Sequence, residues 1–507
     1  FYGSSRFAVF TKSPQTGIYS ESYSGGKITH SFSRTGYDAI IIQGKSERPI
    51  FLEITDSEVL FHSASQLWGK ETYEAEEAIL KKIGKKGAGA LVIGPAGENL
   101  VKFAVIEIER WRSLGRAGIG AVMGSKKLKG IVFHGKKRRE VADLSSLKRL
   151  AKDFKDRVKD NQIVHIYKKY GTPMLVSIMN TIGAFPTQYW SKGTLEGWED
   201  ISAESLMEHC KVTPSACPHC FMACGKISQV KKGRHRGLRI MGPEYETIYA
   251  FGGLCMIKSI EEIIYLNDLC DRLGIDTITA GNLAAFAIEA SRKGKIRDKL
   301  RYGDADAIAE ILKKIACRRG VGRILSEGVR HAASVWGMEN EAIHVKGLEP
   351  PGFDPRVLKG MGLAYATSDR GACHLRATFY KSELSGQINP DQIRGKARLF
   401  IDYEDKMTLF DALILCRFYR DLITWTDLEE ILRATCGLTL KKKDLKAIAS
   451  GIICLARNFN RQEGMTKKDD KLPRRFFREV LQETGKTIQP GEMETMLREY
   501  YQLRGWE

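Results

Sequence analysis

Apolar positions along the chain follow two different periods, and the change falls near residue 135. Before it, the apolar runs are short and punctuated by glycine. Residues 1–10 read as a turn leading into a strand. Residues 37–44 form a short apolar strand ended by Gly44. Residues 50–54 and 59–61 follow at hairpin distance, and residues 90–94 add another strand. The charged stretch 135–140 reads as a linker. Beyond it the spacing becomes helical. Ser259 and Glu262 stand in capping-box positions before Ile260, Ile263, Ile264, Leu266, Cys270 and Leu273, and Gly274 suits the C-terminal stop. Residues 302–313, 321–335, 428–433, 442–457 and 491–503 are also predicted helices. Glu349-Pro350-Pro351-Gly352 cannot continue a helix, because consecutive prolines remove backbone donors. The pattern predicts an α+β protein with a β-rich domain over 1–138 and mainly helical domains over 139–349 and 350–507.

The 507 residues suffice for several domains with real cores, and 43% are hydrophobic. No apolar run approaches the ~20 residues needed to span a bilayer, so no membrane partner is expected. Eleven scattered cysteines do not form a secreted disulfide framework and point to a reducing, cytoplasmic setting. The net charge is +19, with 80 Lys and Arg against 61 Asp and Glu. These basic residues are dispersed and carry no nucleic-acid recognition motif, so no nucleic acid is expected. An acidic protein partner suits the same surface.

Cys217, Cys220 and Cys224 carry the strongest chemistry, as CPHCFMAC. Three thiolates at this spacing grip one face of a metal centre, and a fourth ligand must come from far along the chain. Zinc sites usually bring two close ligand pairs, and no second CxxC or HxxxH exists here, so an iron–sulfur cluster is preferred. Asp271-Arg272-Leu273-Gly274-Ile275-Asp276 and Asp411-Ala412-Leu413-Ile414-Leu415-Cys416 share an aspartate, an apolar residue four positions on, and a polar or metal-binding residue at the fifth. A carboxylate so placed can accept hydrogen bonds from a pterin ring, and Cys416 offers a thiolate. Thr367 to His374 combines Arg370, Gly371 and a histidine, and Gly242 to Thr247 contains Glu244 and Glu246. Arg116 to Lys126 imitates a dinucleotide fingerprint with the wrong last spacing and no strand directly before it.

Taken in this order and spacing, together with Lys12 to Gly17, Ile93 to Asn99, Asn458 to Gly464 and Asp469 to Pro473, these segments resemble the tungsten-dependent aldehyde ferredoxin oxidoreductase family over nearly the whole chain. The resemblance implies an N-terminal β domain that seats a bis-pyranopterin metal cofactor, followed by two mainly helical domains. It implies a [4Fe–4S] cluster on Cys217, Cys220, Cys224 and Cys416, with Cys436 and Cys454 as competing fourth ligands outside the motif. Asp271, Ile275, Asp276, Asp411 and Leu415 are then expected at the two pterins. Arg116, Ala117, Gly118 and Gly120 are expected to approach the pterin and its phosphates where bare backbone helps, with Arg370 and Gly371 doing the same. Glu246 and His374 are the expected catalytic pair, with tungsten preferred over molybdenum. The implied reaction is oxidation of an aldehyde to a carboxylic acid, with electrons leaving through the cluster to ferredoxin. A homodimer or an assembly with an electron-transfer subunit is expected.

Three departures and two other readings accompany the resemblance. Family members carry several dozen residues before the point where Phe1 falls, so the start of the β domain is expected to be missing from the chain or supplied by another. Ile414 stands where the family usually has glycine. Tyr265 stands where some members carry a glutamate for a bridging iron, so no such iron is expected, and Cys255 reads as a buried free thiol. The alternatives are a related tungstoenzyme subunit acting on an aromatic acyl thioester or a carboxylic acid, and a zinc-stabilised basic nucleic-acid-binding protein.

Overall fold

The computed structural model describes residues 1–506. Strands β1 (Arg6–Lys12) and β2 (Tyr19–Gly25) pair antiparallel in register Arg6↔Gly25 to Lys12↔Tyr19. A six-stranded sheet follows, built from β3 (Ile50–Ile54), β4 (Val59–Ser63), β5 (Gly89–Val92), β6 (Ile106–Ile108), β7 (Arg112–Leu114) and β8 (Leu128–Phe133) in the order β4-β3-β8-β5-β6-β7. Only β3 and β8 run parallel; the other pairs are antiparallel. Both faces of β8 are buried, which is why it reads as a nearly continuous apolar run rather than an alternating one.

The run at 37–44 does not become a strand. Ile40 and Ile42 pack against the β core, but Ile41 is 83% exposed and no neighbouring strand pairs with it. The apolar contacts are met while the backbone ladder is not.

The helices follow the 3.6-residue pattern with adjusted ends. Ile260–Leu273 starts where Ser259 Oγ accepts the Glu262 N–H at 3.3 Å and stops at Gly274 in the left-handed region, φ 75°. Glu262 does not complete the capping box, because Arg234 holds its carboxylate at 2.6 Å. The predicted helix at 321–335 is two, Val321–Leu325 and Val329–Trp336, divided at Gly328. Ala305–Ala316, Trp425–Cys436, Lys442–Gln462 and Pro490–Arg504 occupy the other predicted regions. The Glu349–Gly352 break lies buried, and one apolar cluster runs from Ala96 to Tyr500 across it.

Inside the helical part sits a small antiparallel sheet, β9 (Cys210–Ser215), β10 (Gly225–Val230) and β11 (Arg239–Met241). Ser215 pairs with Gly225, so residues 216–224 form the loop of a hairpin, and that loop carries the cysteine triplet. No helix among the described residues is long and apolar enough to cross a membrane.

Candidate active site

The β and helical parts meet around one backbone strip, residues 102–105. Gly118 approaches Lys102 so closely that a Cβ there would lie 2.0 Å from its carbonyl oxygen, and one at Gly120 would lie 2.3 Å from the Val105 carbonyl oxygen. From the other side, the Val105 N–H donates to Gly274 O at 3.0 Å and the Asp276 N–H to Phe103 O at 3.3 Å. The glycine loop and the first aspartate motif thus clasp the same strip. Their glycines are required for backbone packing.

Beside this clasp lies a cavity of about 450 Å³. Arg116, Asp271, Ile275, Asp276, Arg370, Asp411 and Leu415 line it, as do Glu246, His374 and the four cysteines 217, 220, 224 and 416. Ala117, Gly118, Gly120 and Gly371 do not. A Cβ on Gly371 would meet Leu348 at 2.7 Å, so this glycine also serves packing.

The cysteine side is organised by contacts far apart in sequence. The Cys416 N–H donates to Gly3 O at 2.8 Å, and Arg6 Nη1 lies 3.9 Å from Cys416 Sγ. Tyr419 Oη is 3.3 Å from Cys220 Sγ. Burial pushes the Cys224 thiol well up, and the neighbouring Cys416, Cys220 and Cys217 push it further. Four cysteines on one wall, deprotonated on binding, suit a cationic iron core. No three His, Cys, Asp or Glu groups among the described residues converge on a single ion. Cys436 is exposed, and Cys454 accepts from Trp506 Nε1 at 3.3 Å beside a different cavity.

The aspartates are held by ion pairs and caps. Asp276 caps Thr277–Arg292 through the Ile278 and Thr279 N–H groups, at 3.1 and 3.3 Å, and faces Arg116 Nε at 3.4 Å. Arg116 also donates to Glu349 O at 2.7 Å and Ala372 O at 3.2 Å. Asp271 accepts from Asn267 Nδ2 at 2.8 Å, and burial followed by Asp268 keeps its carboxyl well above the usual range. Asp411 pairs with Arg417 and, at 3.0 Å, with Arg376, which also holds Glu21 and Asp369. Arg376 and Arg417 were not singled out from sequence. Their only sequence signal is adjacency, two residues after His374 and one after Cys416. Buried donor atoms Arg112 Nε, Trp111 Nε1 and Arg417 Nε on residues of the wall have no protein partner. Such orphaned donors beside buried carboxylates fit a polyanionic ring system with ring N–H groups, as a pyranopterin is.

Glu246 Oε1 and His374 Nε2 face each other at 3.6 Å. Glu246 Oε2 accepts the Gly352 N–H at 2.9 Å, while Oε1 and His374 Nδ1 have no hydrogen-bond partner. Burial pushes the Glu246 carboxyl from an ordinary 4.5 to about 8. Burial, then Arg116 and Arg370, holds the His374 imidazole well below 6.5. Across neutral pH the ring is therefore uncharged. Cys255 is fully buried, its thiol 3.3 Å from Gly281 O, and it does not line the cavity.

Comparison with known proteins follows the same architecture. The family model described as aldehyde ferredoxin oxidoreductase, N-terminal domain, matches residues 1–135, and the one described as aldehyde ferredoxin oxidoreductase, domains 2 and 3, matches residues 149–507. A tungsten-containing aldehyde ferredoxin oxidoreductase of Thermococcus kodakarensis is 36% identical over 515 residues, covering 99% of this chain and 84% of the relative. One from Pyrococcus furiosus is 34% identical over 514 residues with the same coverage. The aliphatic sulfonate oxidoreductase, WOR-like subunit, of Pyrococcus furiosus is 27% identical over 551 residues, covering 100% of this chain and 84% of its own length. Among solved structures, the active site complex BamBC of benzoyl coenzyme A reductase, with 1,5-dienoyl-CoA, shares the fold at a TM-score of 0.86 and 24% identity, covering 100% of this chain and 84% of that one.

Proposed function

Because the chain belongs to the aldehyde ferredoxin oxidoreductase family and is an oxidoreductase, we propose that it oxidises aldehydes to carboxylic acids at a tungsten bis-pyranopterin centre. The net change is aldehyde plus water to carboxylic acid, two protons and two electrons. The observation that carries this reading is the half-buried Glu246–His374 pair in the same cavity as three aspartates and four cysteines. Asp271, Asp276 and Asp411 would hold the pterins, with Arg116, Arg370, Ile275 and Leu415 around them. Cys217, Cys220, Cys224 and Cys416 would hold a [4Fe–4S] cluster. When bound, these groups supply a two-electron acceptor and a one-electron relay to ferredoxin.

The chain's own residues handle the proton and the carbonyl. His374, neutral in this pocket, polarises the aldehyde oxygen by donating one ring N–H rather than by protonating it. Glu246, with a carboxyl near 8, is a stronger base than an ordinary carboxylate and takes a proton from the attacking water. This reading implies a cytoplasmic setting, where reduced ferredoxins and thiols persist.

Elemental analysis of anaerobically purified protein, with aldehyde-dependent reduction of a viologen dye, tests the reading. Tungsten with about four irons per chain and dye reduction support it. Zinc without iron overturns it. Metal present with no aldehyde oxidised turns the assignment to reduction of an acyl thioester or a carboxylic acid.

A further inference from the structure

We propose that the aldehyde pocket contains an anion subsite built on Arg420, so that its preferred substrates carry a carboxylate or phosphate away from the carbonyl. This rests on the aldehyde reading above and names its substrate class.

Arg420 is 4% exposed and lines the same cavity as Glu246 and His374. Its Nη1 donates to Arg417 O at 2.7 Å, but Nε and Nη2 are buried without a hydrogen-bond partner. The nearest carboxylate, Asp421, lies 3.9 Å from Nε, beyond hydrogen-bond reach, and is already bound by Lys381. Lys406 adds a third cation by donating to the Arg420 carbonyl at 2.7 Å. The other carboxylates near Lys406 are engaged elsewhere, Asp402 by Lys446 and Asp427 by Arg157. Three cations, of which Arg420 is buried, thus face one exposed carboxylate. A buried guanidinium whose open side meets the neutral phenols of Tyr167 and Tyr380, with no carboxylate within hydrogen-bond reach, gains from a further anion.

The route from the reacting pair to this cation is aromatic. Phe353 lies 5.7 Å from the His374 ring and stacks on Tyr380 at 4.2 Å. The phenols of Tyr380 and Tyr167 face the Arg420 guanidinium. An aldehyde held at His374 would lay its body along this wall and its far end against Arg420. The cofactor's own phosphates are the other source of an anion with this chemistry, and the test separates the two.

Holoenzyme is assayed by viologen reduction with benzaldehyde against 4-carboxybenzaldehyde, and with butanal against succinic semialdehyde. The charged member of each pair is expected to have roughly tenfold or higher kcat/KM, as a charge-assisted contact supplies. Arg420→Gln removes that preference while tungsten content stays unchanged. Arg420→Lys, which keeps the charge, retains part of the preference should the glutamine variant fail to fold. Preference for the neutral members in the unaltered enzyme overturns the subsite alone. So does an unchanged ratio in both variants, or loss of tungsten in Arg420→Gln, which assigns the anion to the cofactor. No turnover with any of the four aldehydes overturns the aldehyde reading together with the subsite.

Discussion

Replacing Glu246 by glutamine separates its chemistry from its burial. The glutamine keeps the acceptor for the Gly352 N–H, which lies 2.9 Å from Oε2 in the native protein, but it cannot take a proton. A carboxyl raised from 4.5 to about 8 is roughly a tenth ionised at pH 7 and about a hundredth at pH 6. Native kcat/KM should therefore climb about tenfold per pH unit below 8 and level off above it. The effect on stability has the opposite sense. The unfolded chain releases this proton near 4.5, the folded one only near 8, so stability falls as pH rises between those values. At pH 7 the cost is about 3 kcal/mol. Glu246→Gln should thus lose about 10²–10⁴ in turnover and gain up to about that 3 kcal/mol in folding free energy, a gain that fades towards pH 4.5. Viologen reduction from pH 6 to 9 and urea unfolding of native and variant protein measure the two effects. A flat native profile refutes the reasoning, as does a variant with full tungsten and iron that turns over within about twofold of native.

Other expectations concern the cluster and the scaffold. Cys416→Ser should lower iron content well below four per chain, whereas Cys436→Ser, at an exposed thiol, should leave it unchanged; iron analysis decides. Tyr419→Phe removes the hydroxyl 3.3 Å from Cys220 Sγ and should make the cluster potential more negative in an EPR-monitored redox titration, because a donor to the thiolate stabilises the reduced state. Lys396 and Glu383 form a wholly buried pair at 2.6 Å at the start of the helix Lys396–Ala412, which carries Asp411. Lys396→Met should destabilise by about 3–5 kcal/mol in denaturant unfolding, since it leaves Glu383 buried without its cation.

Much of the secondary structure was legible because local rules produce it. Ser259 and Gly274 bound the helix at 260–273 through a cap and a left-handed stop, and both are single-residue signals. The run at 37–44 misled because an apolar triplet reports contact with a core but not the presence of a partner strand. The glycine loop at 116–126 is a different case. Glycine there reports a close approach, and the approaching atoms belong to residues 102 and 105.

The sequence by itself determined the chemical kinds at the site: a thiolate triplet awaiting a remote fourth, two spaced aspartate motifs, and a glutamate and a histidine. These follow from side-chain chemistry and short spacing. Tertiary structure alone decided that Cys416, held to Gly3 across the fold, shares a cavity with the triplet, while Cys436 and Cys454 lie elsewhere. It alone decided the protonation of Glu246 and His374, because burial and the fields of Arg116 and Arg370 are sums over residues far apart in the chain. The same holds for Arg420, which burial leaves with two guanidinium nitrogens lacking a hydrogen-bond partner and Asp421 3.9 Å away.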